Sequence, residues 1–513
     1  MEDTQIIILD YGSQYTQLLS RRVREIGVFS EVISFTTTAI DLKKYKNLKG
    51  IILSGGPSSV YAQDAYTIDK EIFNLNIPIL GVCYGMQLMA EINGGKVELA
   101  DNQEFGKATL FIDKTSDKLF KNISDKKQVW MSHADHLIKM PEGFEQIAHS
   151  DASIAAISND AKKMYGIQFH AEVTHTQEGT QMIENFVYDI CEAKKDWSMN
   201  IFIDHKVKEI KEVVKKEEVI LGLSGGVDSS VAAALISKAI GKQLTCIFVD
   251  TGLLRKDEAK KVMDAYSKLF DMNIKLVDAS DQFYKALENV KDPEDKRKII
   301  GKQFVDVFNE QAKLMKNAKF LAQGTIYPDV IESSSKNHSS KMIKSHHNVG
   351  GLPDNLNFEL LEPLRTLFKD EVREVGKQLG LDEKIINRHP FPGPGLGIRI
   401  INEVTKEKAD ILREVDDIFI SKLFKYDLYN KVSQAFATIL PVKTVGVMGD
   451  NRTYDYVVAL RSVNTIDFMT ANASHLPWEL LEEVTNEIIN KVSGVNRVVY
   501  DITSKPPGTI EWE

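Results

Sequence analysis

Short apolar runs alternate with stretches of helical periodicity through the first 190 residues of the chain. Strands that alternate with helices in this way are typical of an α/β sandwich with a mainly parallel sheet. The fold class predicted for this region is therefore α/β. The predicted strands are Gln5–Leu9, Gly50–Leu53, Ile77–Val82 and Met164–Phe169.

A second α/β unit follows a charge-dense segment at residues 194–218 and extends to about residue 388. The apolar side chains of that segment recur at helical spacing, which predicts an amphipathic helix that opens the next domain. These side chains are Ile203, Val207, Ile210 and Val214. The predicted strands of the unit are Val219–Leu223, Thr245–Asp250, Ile274–Asp278 and Phe320–Gly324.

The proline-rich run His389–Gly395 cannot form a helix or a central strand, and it marks the next boundary. The rest of the chain predicts a small α+β domain. Its predicted elements are the strands Val442–Val447, Tyr456–Leu460 and Val498–Ile502 and the helix Glu479–Val492. The predicted domains are residues 1–196, 197–388 and 389–513.

Composition narrows the range of functions. The length of 513 residues agrees with about three domains. A net charge of -9 argues against a general nucleic-acid surface but allows a local anion pocket. Three cysteines without a CxxC pair argue against a disulfide framework or a zinc site, so we expect a reducing, cytoplasmic environment. No apolar run approaches the ~18 residues of a membrane span, and the acidic start is unlike a signal peptide, so we expect no membrane partner.

The segment from Leu221 to Ser230 predicts a strand, a tight glycine turn and the first turn of a helix. Such a turn gathers unpaired backbone N–H groups at the positive end of the helix, where they favour a phosphate. The hydroxyl groups of Ser224, Ser229 and Ser230 add donors. Asp228 is an anion in an anion site, which indicates a Mg²⁺ ion between its carboxylate and the phosphates. The spacing of a Walker A loop is absent.

This turn resembles the SGGxDSS loop of the ATP pyrophosphatases, which cleave ATP between its α and β phosphates. The alternative is a glycine-rich turn without chemistry. The resemblance implies ATP as substrate. Asp250, at the end of the next predicted strand, is a second candidate ligand for the Mg²⁺ ion. The implied ATP and pyrophosphate contacts are Ser224, Gly225, Gly226, Val227, Asp228, Ser229, Ser230, Val249 and Gly324.

The same α/β unit contains the polar stretch Ser333–Lys341, which is either a solvated surface loop or a mobile lid near ATP.

The segment Gly81–Gly85 lies between an apolar run and a helical stretch, which predicts a nucleophile elbow with Cys83 in place of serine. The positive end of the helix stabilises a thiolate. His170 and Glu172 share one face after the strand that ends at Phe169, so Glu172 is placed to orient His170 toward the thiolate. The alternatives without chemistry are a small buried cysteine and a core histidine.

Acyl transfer also needs donors for the developing oxyanion. The turn Ser54–Pro57 offers the backbone N–H groups of Gly55 and Gly56, and the N–H of Tyr84 is a further candidate. Together with the cysteine elbow and the HxE pair, this turn resembles a class I glutamine amidotransferase domain.

That resemblance implies that Cys83 attacks the side-chain amide of L-glutamine, that ammonia leaves, and that water then releases glutamate. It also implies that Gln87 and the stretch Ser132–Asp135 hold the glutamine, with Asp135 as a contact. The family usually has proline between the histidine and the glutamate, where this chain has Ala171. Since that proline only stiffens the backbone, we expect activity to survive.

An ammonia source and an AMP-forming ATP site in one chain indicate a coupled reaction, in which ATP activates a carbonyl oxygen and ammonia displaces AMP. Other segments resemble the GMP synthetase family along essentially the whole chain. This resemblance implies that O2 of XMP attacks the α-phosphorus of ATP, that ammonia then attacks C2 to give GMP, and that the protein is a homodimer. The segments are Asp10–Tyr15, His346–Pro353, Gly393–Arg399, Val445–Asp450 and Thr503–Glu513.

The same resemblance implies XMP contacts at Arg297, Gln434, Lys505, Ile510 and Glu511. The chemistry of a phosphate monoester points to Lys505 independently, because a nearly dianionic group requires Lys or Arg. A solvated helix face is the alternative for Arg297, and a frayed tail is the alternative for Lys505.

Three other functions fit parts of the pattern. Other glutamine-dependent ATP pyrophosphatases, such as NAD or asparagine synthetases, use different glutaminase elements or domain order and lack the tail Lys505–Glu513. A tRNA-thiolating enzyme would need a sulfur-handling cysteine and a basic surface. A nucleotide-binding regulator with an inactive glutaminase is disfavoured by the intact Cys83, His170 and Glu172.

Overall fold

The computed structural model describes residues 4–269, 271–315, 317–330, 358–465, 468 and 470–513. It divides into two compact units, Met1–Ile201 and Phe202–Glu513. The predicted lid at Ser333–Lys341 and the segment His346–Pro353 lie outside the described residues. None of the helices formed by the described residues is long and apolar enough to span a bilayer.

The first unit is built on a nine-stranded sheet in the order β2-β1-β3-β4-β9-β8-β7-β5-β6. The five strands from β2 to β9 in this order are parallel, and β8, β7, β5 and β6 continue the sheet in antiparallel pairs. The strands are β1 Ile6–Asp10, β2 Ser30–Ser34, β3 Gly50–Leu53, β4 Ile79–Val82, β5 Lys96–Ile112, β6 Lys127–Lys139, β7 Glu145–His149, β8 Ile154–Asn159 and β9 Met164–Ile167.

Both faces of the parallel part are covered, which explains its nearly continuous apolar runs. In β1, Ile6 and Ile8 belong to one apolar core, and Ile7 and Leu9 belong to a second core on the opposite face. Helices and shorter turns supply the covering layers. They are Thr16–Glu25, Ala39–Leu42, Tyr84–Ile92 and Gly179–Glu184, the 3₁₀ turns Lys70–Asn74 and Lys118–Phe120, and the π-helical turn Asn185–Ile190.

The helix Met199–Val214 crosses the division between the two units. The second unit contains a five-stranded parallel sheet in the order β12-β11-β10-β13-β14. These strands are β10 Glu218–Leu223, β11 Leu244–Asp250, β12 Asn273–Asp278, β13 Ala318–Ala322 and β14 Glu359–Leu361. Since β10 pairs with β11 on one side and β13 on the other, its carboxyl end is a topological switch point, where open α/β sheets bind ligands. The associated helices are Val227–Ile240, Glu258–Leu269, Ser280–Ala286, Pro293–Leu314, Lys369–Gln378 and Glu383–Ile386, with the 3₁₀ turn Gly241–Gln243.

A four-stranded mixed sheet completes the second unit, with β15 antiparallel and β18 parallel to β16. Its strands are β15 Gln434–Met448, β16 Asn451–Asn464, β17 Asn472–Ala473 and β18 Val495–Asp501. Its helices are Lys406–Lys425 and Trp478–Lys491, with 3₁₀ turns at Gly395–Ile398 and Tyr429–Lys431. One apolar core joins residues of both sheets, such as Ile220 and Val458.

The α/β fold class with mainly parallel sheets and a C-terminal α+β region is confirmed. The domain boundaries at 196/197 and 388/389 stay predictions. The antiparallel strands β5 to β8 are absent from the predicted pattern. In β6 buried and partly exposed positions alternate, as expected for a sheet with one face toward solvent, so its apolar run is weaker than that of β1.

Candidate active sites

A strained cysteine stands at the end of β4, directly before the helix Tyr84–Ile92. Cys83 has φ +52° and ψ −111°, a conformation that costs free energy and that surrounding packing must hold in place. A Cβ atom on Gly81 would lie 2.6 Å from Gly85, and one on Gly85 would lie 2.3 Å from the carbonyl oxygen of Leu53. Both flanking positions therefore require glycine for the elbow to form.

The strands β4 and β9 are parallel neighbours, so the residues after each of them meet at the same edge of the sheet. His170 Nδ1 lies 2.7 Å from Glu172 Oε1, and both side chains are almost fully buried. Burial by itself lowers the pKa of His170, but Glu172 and a hydrogen bond with Cys83 outweigh it and raise that pKa to about 10. The arrangement therefore favours an imidazolium between a carboxylate and the cysteine sulfur.

A cavity of about 450 Å³ opens beside this group and is bordered by Cys83, His170, Gly56 and Tyr84. Gly55 lies behind its wall, where a Cβ atom would come within 3.3 Å of His170 Cε1. The cavity places the sulfur, the imidazole and two of the three predicted oxyanion-hole residues around one space.

Asp135 supplies a carboxylate to the same cavity. Its two oxygens accept hydrogen bonds from Ser59 at 2.5 Å and Tyr61 at 2.8 Å. Gln87 also borders the cavity, and its Nε2 donates to the carbonyl oxygen of Asp135 at 3.0 Å and to Gln168 at 3.1 Å. The amide of Gln87 thus fixes the backbone that carries Asp135.

The glycine turn after β10 leads directly into the helix Val227–Ile240. Gly225 has φ +73°, which favours glycine because other residues are strained there. The hydroxyl groups of Ser224 and Ser229 lie 2.9 Å apart, and that of Ser230 donates to the Gly226 carbonyl oxygen at 2.6 Å. The Ser230 hydroxyl therefore braces the turn.

Asp228 stands at the first turn of this helix with a buried Oδ1 that has no hydrogen-bond partner among the described residues. Burial raises its pKa, while Lys369 and Arg373 act in the opposite direction and Asp329 reinforces the rise. An unpaired buried carboxylate oxygen beside this glycine turn fits the oxygen ligand that a Mg²⁺ ion would require. Asp250 differs, because its Oδ1 accepts the Gly252 N–H at 2.9 Å. Within the described ranges, no group of three or more His, Cys, Asp or Glu side chains could hold a metal by itself.

A cavity of about 730 Å³ extends from this turn and is bordered by Val249, Arg297, Gln434 and Glu511. Glu511 accepts hydrogen bonds from Gln434 at 2.7 Å and from the fully buried Arg399 at 2.8 and 3.1 Å. Arg297 donates to the Glu513 backbone oxygen at 2.6 Å. The tail of the chain thus contributes directly to the wall of the cavity.

Three predicted contacts stand apart from this group. Gly324 borders a smaller cavity of about 190 Å³ that also contacts Ser224 and Asp228. Ile510 is buried in a small apolar cluster that includes Phe436. Lys505 is not among the described residues that border either cavity, and its ammonium donates to the Phe468 carbonyl oxygen at 2.7 Å.

The sequence patterns do not predict several residues that border the larger cavity. Lys369, Arg373 and Arg388 border the 730 Å³ cavity. The first two are four positions apart on one helix, a spacing that could have indicated a shared face. Arg388 pairs with Glu258 at 2.6 Å and donates to the Gly225 carbonyl oxygen at 3.1 Å, contacts between distant segments that carry no local signal.

The 450 Å³ cavity also has a neighbour that the sequence patterns do not predict. The ring of Tyr15 packs edge-on against His170, with 4.8 Å between ring centroids. Tyr15 borders the cavity and belongs to the segment Asp10–Tyr15, which resembles the family named above. That resemblance could have placed Tyr15 near the site, but it does not show that Tyr15 contacts His170.

Three segments of the chain match the models of known protein families. Residues 7–190 match the model described as glutamine amidotransferase class-I, residues 199–393 match NAD synthase, and residues 421–512 match the GMP synthase C terminal domain. The first and last agree with the resemblances inferred from the motifs.

Curated relatives match the chain over its full length. It is 69% identical over 513 residues to "GMP synthase (glutamine-hydrolyzing)" of Mesoplasma florum and 64% identical over 513 residues to the protein of that name from Fusobacterium nucleatum, with 100% of each chain covered. It is 56% identical over 515 residues to that of Vibrio vulnificus strain CMCP6, which covers 100% of this chain and 99% of the relative. Because such relatives span it from end to end, the chain belongs to the family of glutamine-hydrolysing GMP synthases.

Proposed function

We propose that the two cavities carry out the two halves of glutamine-dependent GMP synthesis, a C–N ligase reaction. The observation that carries this proposal is the presence in one chain of a Cys83–His170–Glu172 group and of an anion-binding turn that shares a cavity with Glu511. The overall conversion is XMP, ATP, L-glutamine and water to GMP, AMP, pyrophosphate and glutamate.

In the first half, the Cys83 thiolate attacks the glutamine side-chain amide carbon. The backbone N–H groups of Gly56 and Tyr84 stabilise the oxyanion. His170 gives its proton to the departing ammonia, then takes a proton from the water that cleaves the thioester and releases glutamate. Glu172 holds the imidazole through Nδ1, so Nε2 faces the sulfur.

We assign the α-amino end of glutamine to Asp135, because an ammonium group needs a carboxylate partner and Asp135 is the acidic residue that borders the cavity among the described residues. Gln87 acts through the Asp135 backbone. Glutamine recognition and cysteine chemistry are then supplied by the same wall of the first unit.

In the second half, the turn Ser224–Ser230 binds the phosphates of ATP through its backbone N–H groups. Asp228 would hold a Mg²⁺ ion, which supplies charge neutralisation for the departing pyrophosphate. Lys369 and Arg373 add positive charge beside Asp228. The O2 atom of XMP attacks the α-phosphorus, pyrophosphate leaves, and ammonia later displaces AMP from C2.

We propose that XMP occupies the part of the cavity formed by Arg297, Gln434 and Glu511. Gln434 and Glu511 supply hydrogen-bonding groups for a purine, and Arg297 supplies a cation. Ile510 supports Glu511 from the apolar cluster. Lys505 contacts the XMP phosphate only after its bond to the Phe468 carbonyl oxygen is exchanged for the nucleotide.

A matched pair of cysteine variants tests the division of labour. Cys83→Ala abolishes GMP formation from glutamine and leaves formation from ammonium intact, because ammonia then reaches the activated XMP without the thiolate. Cys191→Ala is the control, since Cys191 is a buried cysteine of the same unit outside the cavity. Loss of both activities in Cys83→Ala overturns the two-site proposal, and a wild type inert toward XMP overturns the substrate.

We propose a homodimer formed through the hairpin of β15 and β16. Val445, Val447 and Tyr454 expose 59%, 73% and 65% of their surface there, and β15 pairs only with β16 among the described strands. An exposed apolar edge of this kind favours pairing with another chain. Val447→Lys shifts the mass measured by sedimentation toward the monomer, whereas Ile40→Lys, at an equally exposed position of the first unit, does not. A monomeric wild type at micromolar concentration contradicts the proposal.

A further inference from the structure

A buried arginine organises the tail of the second unit. Arg461 lies on β16 and exposes 1% of its surface. Its guanidinium donates to the carbonyl oxygens of Ile510 at 2.7 Å, Thr509 at 2.8 Å and Thr503 at 3.0 Å. It also pairs with Asp501 at 2.6 Å. All three nitrogens of one side chain are thus committed to the last part of the chain.

The tail segment, residues 502–512, has little regular structure to fix its path. The strand β18 ends at Asp501, and beyond it one isolated bridge joins Lys505 to Ala471. Carbonyl groups outside helices and sheets need other partners when they are buried. The planar fork of Arg461 supplies such partners at three points of the segment.

The neighbouring strand supplies the carboxylate that offsets the free energy of burying the Arg461 guanidinium. Arg461 and Asp501 are register partners on the parallel strands β16 and β18, so the carboxylate is fixed by the sheet itself. A buried charge with a fixed counter-ion and satisfied donors is tolerated, whereas a charge without them is not. Arg461 is therefore held from the sheet side and acts on the tail segment from a rigid base.

The tail segment carries Glu511 into the 730 Å³ cavity, where it meets Arg399 and Gln434. Arg461 itself is not among the described residues that border this cavity. We propose that Arg461 is a positioning residue for the purine nucleotide, which sets the position of Glu511 by fixing the carbonyl groups of the two residues before it. The inference rests on the proposed function, because it assumes that Glu511 faces XMP.

Lysine at this position keeps the charge but offers one compact ammonium, which cannot reach three carbonyl oxygens spread along a segment. In Arg461→Lys we expect the KM for XMP to rise by about tenfold or more in ammonium-driven synthesis, since hydrogen bonds to a charged group are lost. The KM for ATP stays within about twofold, because the phosphate turn does not depend on the tail segment. Arg497→Lys, at an exposed position of the neighbouring strand β18, is the matched control and keeps wild-type constants.

Hydrogen exchange in the free full-length protein gives a second measurement. The amides of residues 503–511 exchange faster in Arg461→Lys than in wild type, while those of β10 and β11 do not change. If Arg461→Lys fails to fold, Asp501→Asn takes its place, because it weakens the anchor and leaves the carbonyl bonds available. Its expected rise in KM for XMP is about two- to fivefold.

The outcomes separate this inference from the proposed function. An unchanged KM for XMP in the folded Arg461 variant, alongside a raised one in Glu511→Gln, overturns the positioning role and leaves the XMP site standing. Equal increases in the KM values for XMP and ATP indicate a general structural role and also overturn it. If Glu511→Gln and Arg461→Lys both leave the KM for XMP unchanged, the proposed XMP site itself is wrong.

Discussion

The cavity around Cys83 and the cavity beside the turn Ser224–Ser230 are built in different ways. Cys83 and His170 follow two adjacent parallel strands, so the sheet brings them together and a single strained backbone position aims the nucleophile. The nucleotide cavity instead joins Arg297 and Glu511 from distant parts of the second unit, with buried Arg399 bound to the tail. Under the proposed function, the covalent chemistry depends on backbone geometry at strand ends, whereas recognition of the nucleotide depends on charge pairs between remote segments.

Glu172→Gln has the largest expected effect and is confined to the glutaminase site. It removes the carboxylate that holds His170 at 2.7 Å, so the imidazole loses its orientation and its proton. We expect kcat for glutamine hydrolysis to fall by roughly 10²–10⁴-fold, while ammonium-driven GMP formation is unchanged. Steady-state kinetics with each nitrogen donor measure both. A parallel loss with ammonium would show that the two sites are not separable.

Glu511→Gln tests the nucleotide cavity in the same way. The buried guanidinium of Arg399 loses its anionic partner, and the purine loses a hydrogen-bonding carboxylate. We expect the KM for XMP to rise by roughly 10- to 100-fold, with glutamine hydrolysis measured at saturating XMP and ATP largely preserved. A wild-type KM for XMP in this variant would show that the tail does not take part in recognition of XMP.

The coupling between His170 and Glu172 predicts a pH-dependent contribution to stability. The pKa of His170 in the folded protein is raised to about 10, above its ordinary value of 6.5, despite the opposing effect of burial. Its contribution to stability is therefore fully present below pH ~6.5 and is lost as the pH rises through ~10. Thermal melting is expected to show the wild type more stable than Glu172→Gln by a margin that is largest near pH 6 and shrinks toward pH 10. A margin independent of pH would contradict the coupling.

Gly85→Ala tests whether the elbow depends on close packing. The added Cβ atom would lie 2.3 Å from the Leu53 carbonyl oxygen, so the backbone must move and we expect a loss of about 1–3 kcal/mol in the free energy of unfolding. Gly301→Ala is the control, because nothing lies within 4 Å of its added Cβ atom and the site is helical. Calorimetry of both variants gives the comparison. Equal stability would mean that the elbow relaxes easily.

The smallest effect is expected for Ala171→Pro, which restores the usual family residue between His170 and Glu172. The hydrogen bond between their side chains does not involve residue 171, so kcat for glutamine hydrolysis stays within about twofold. A larger change would show that backbone stiffness at this position matters to the chemistry. The measurement is glutamate release at saturating glutamine.

Much of the fold follows from local patterns. The strands β3 and β10 and the turn at Gly225 lie where the apolar runs and glycines predict them, because strand length, side-chain alternation and positive φ are local properties. The antiparallel strands β5 to β8 were missed, since their alternating exposure weakens the apolar signal. The glutamine-dependent synthesis of GMP inferred from the motifs is confirmed by the full-length relatives.

The cysteine elbow, the glycine turn after β10 and the family can all be identified from the chain alone, because each is carried by consecutive residues, and the two turns have restricted backbone conformations. Three contacts become apparent only in the folded chain: Arg399 pairs with Glu511, Lys505 donates to Phe468, and Arg461 donates to the tail segment. Such contacts depend on which distant charges become buried together. Burial makes those pairings strong and specific, and no local spacing in the chain encodes them.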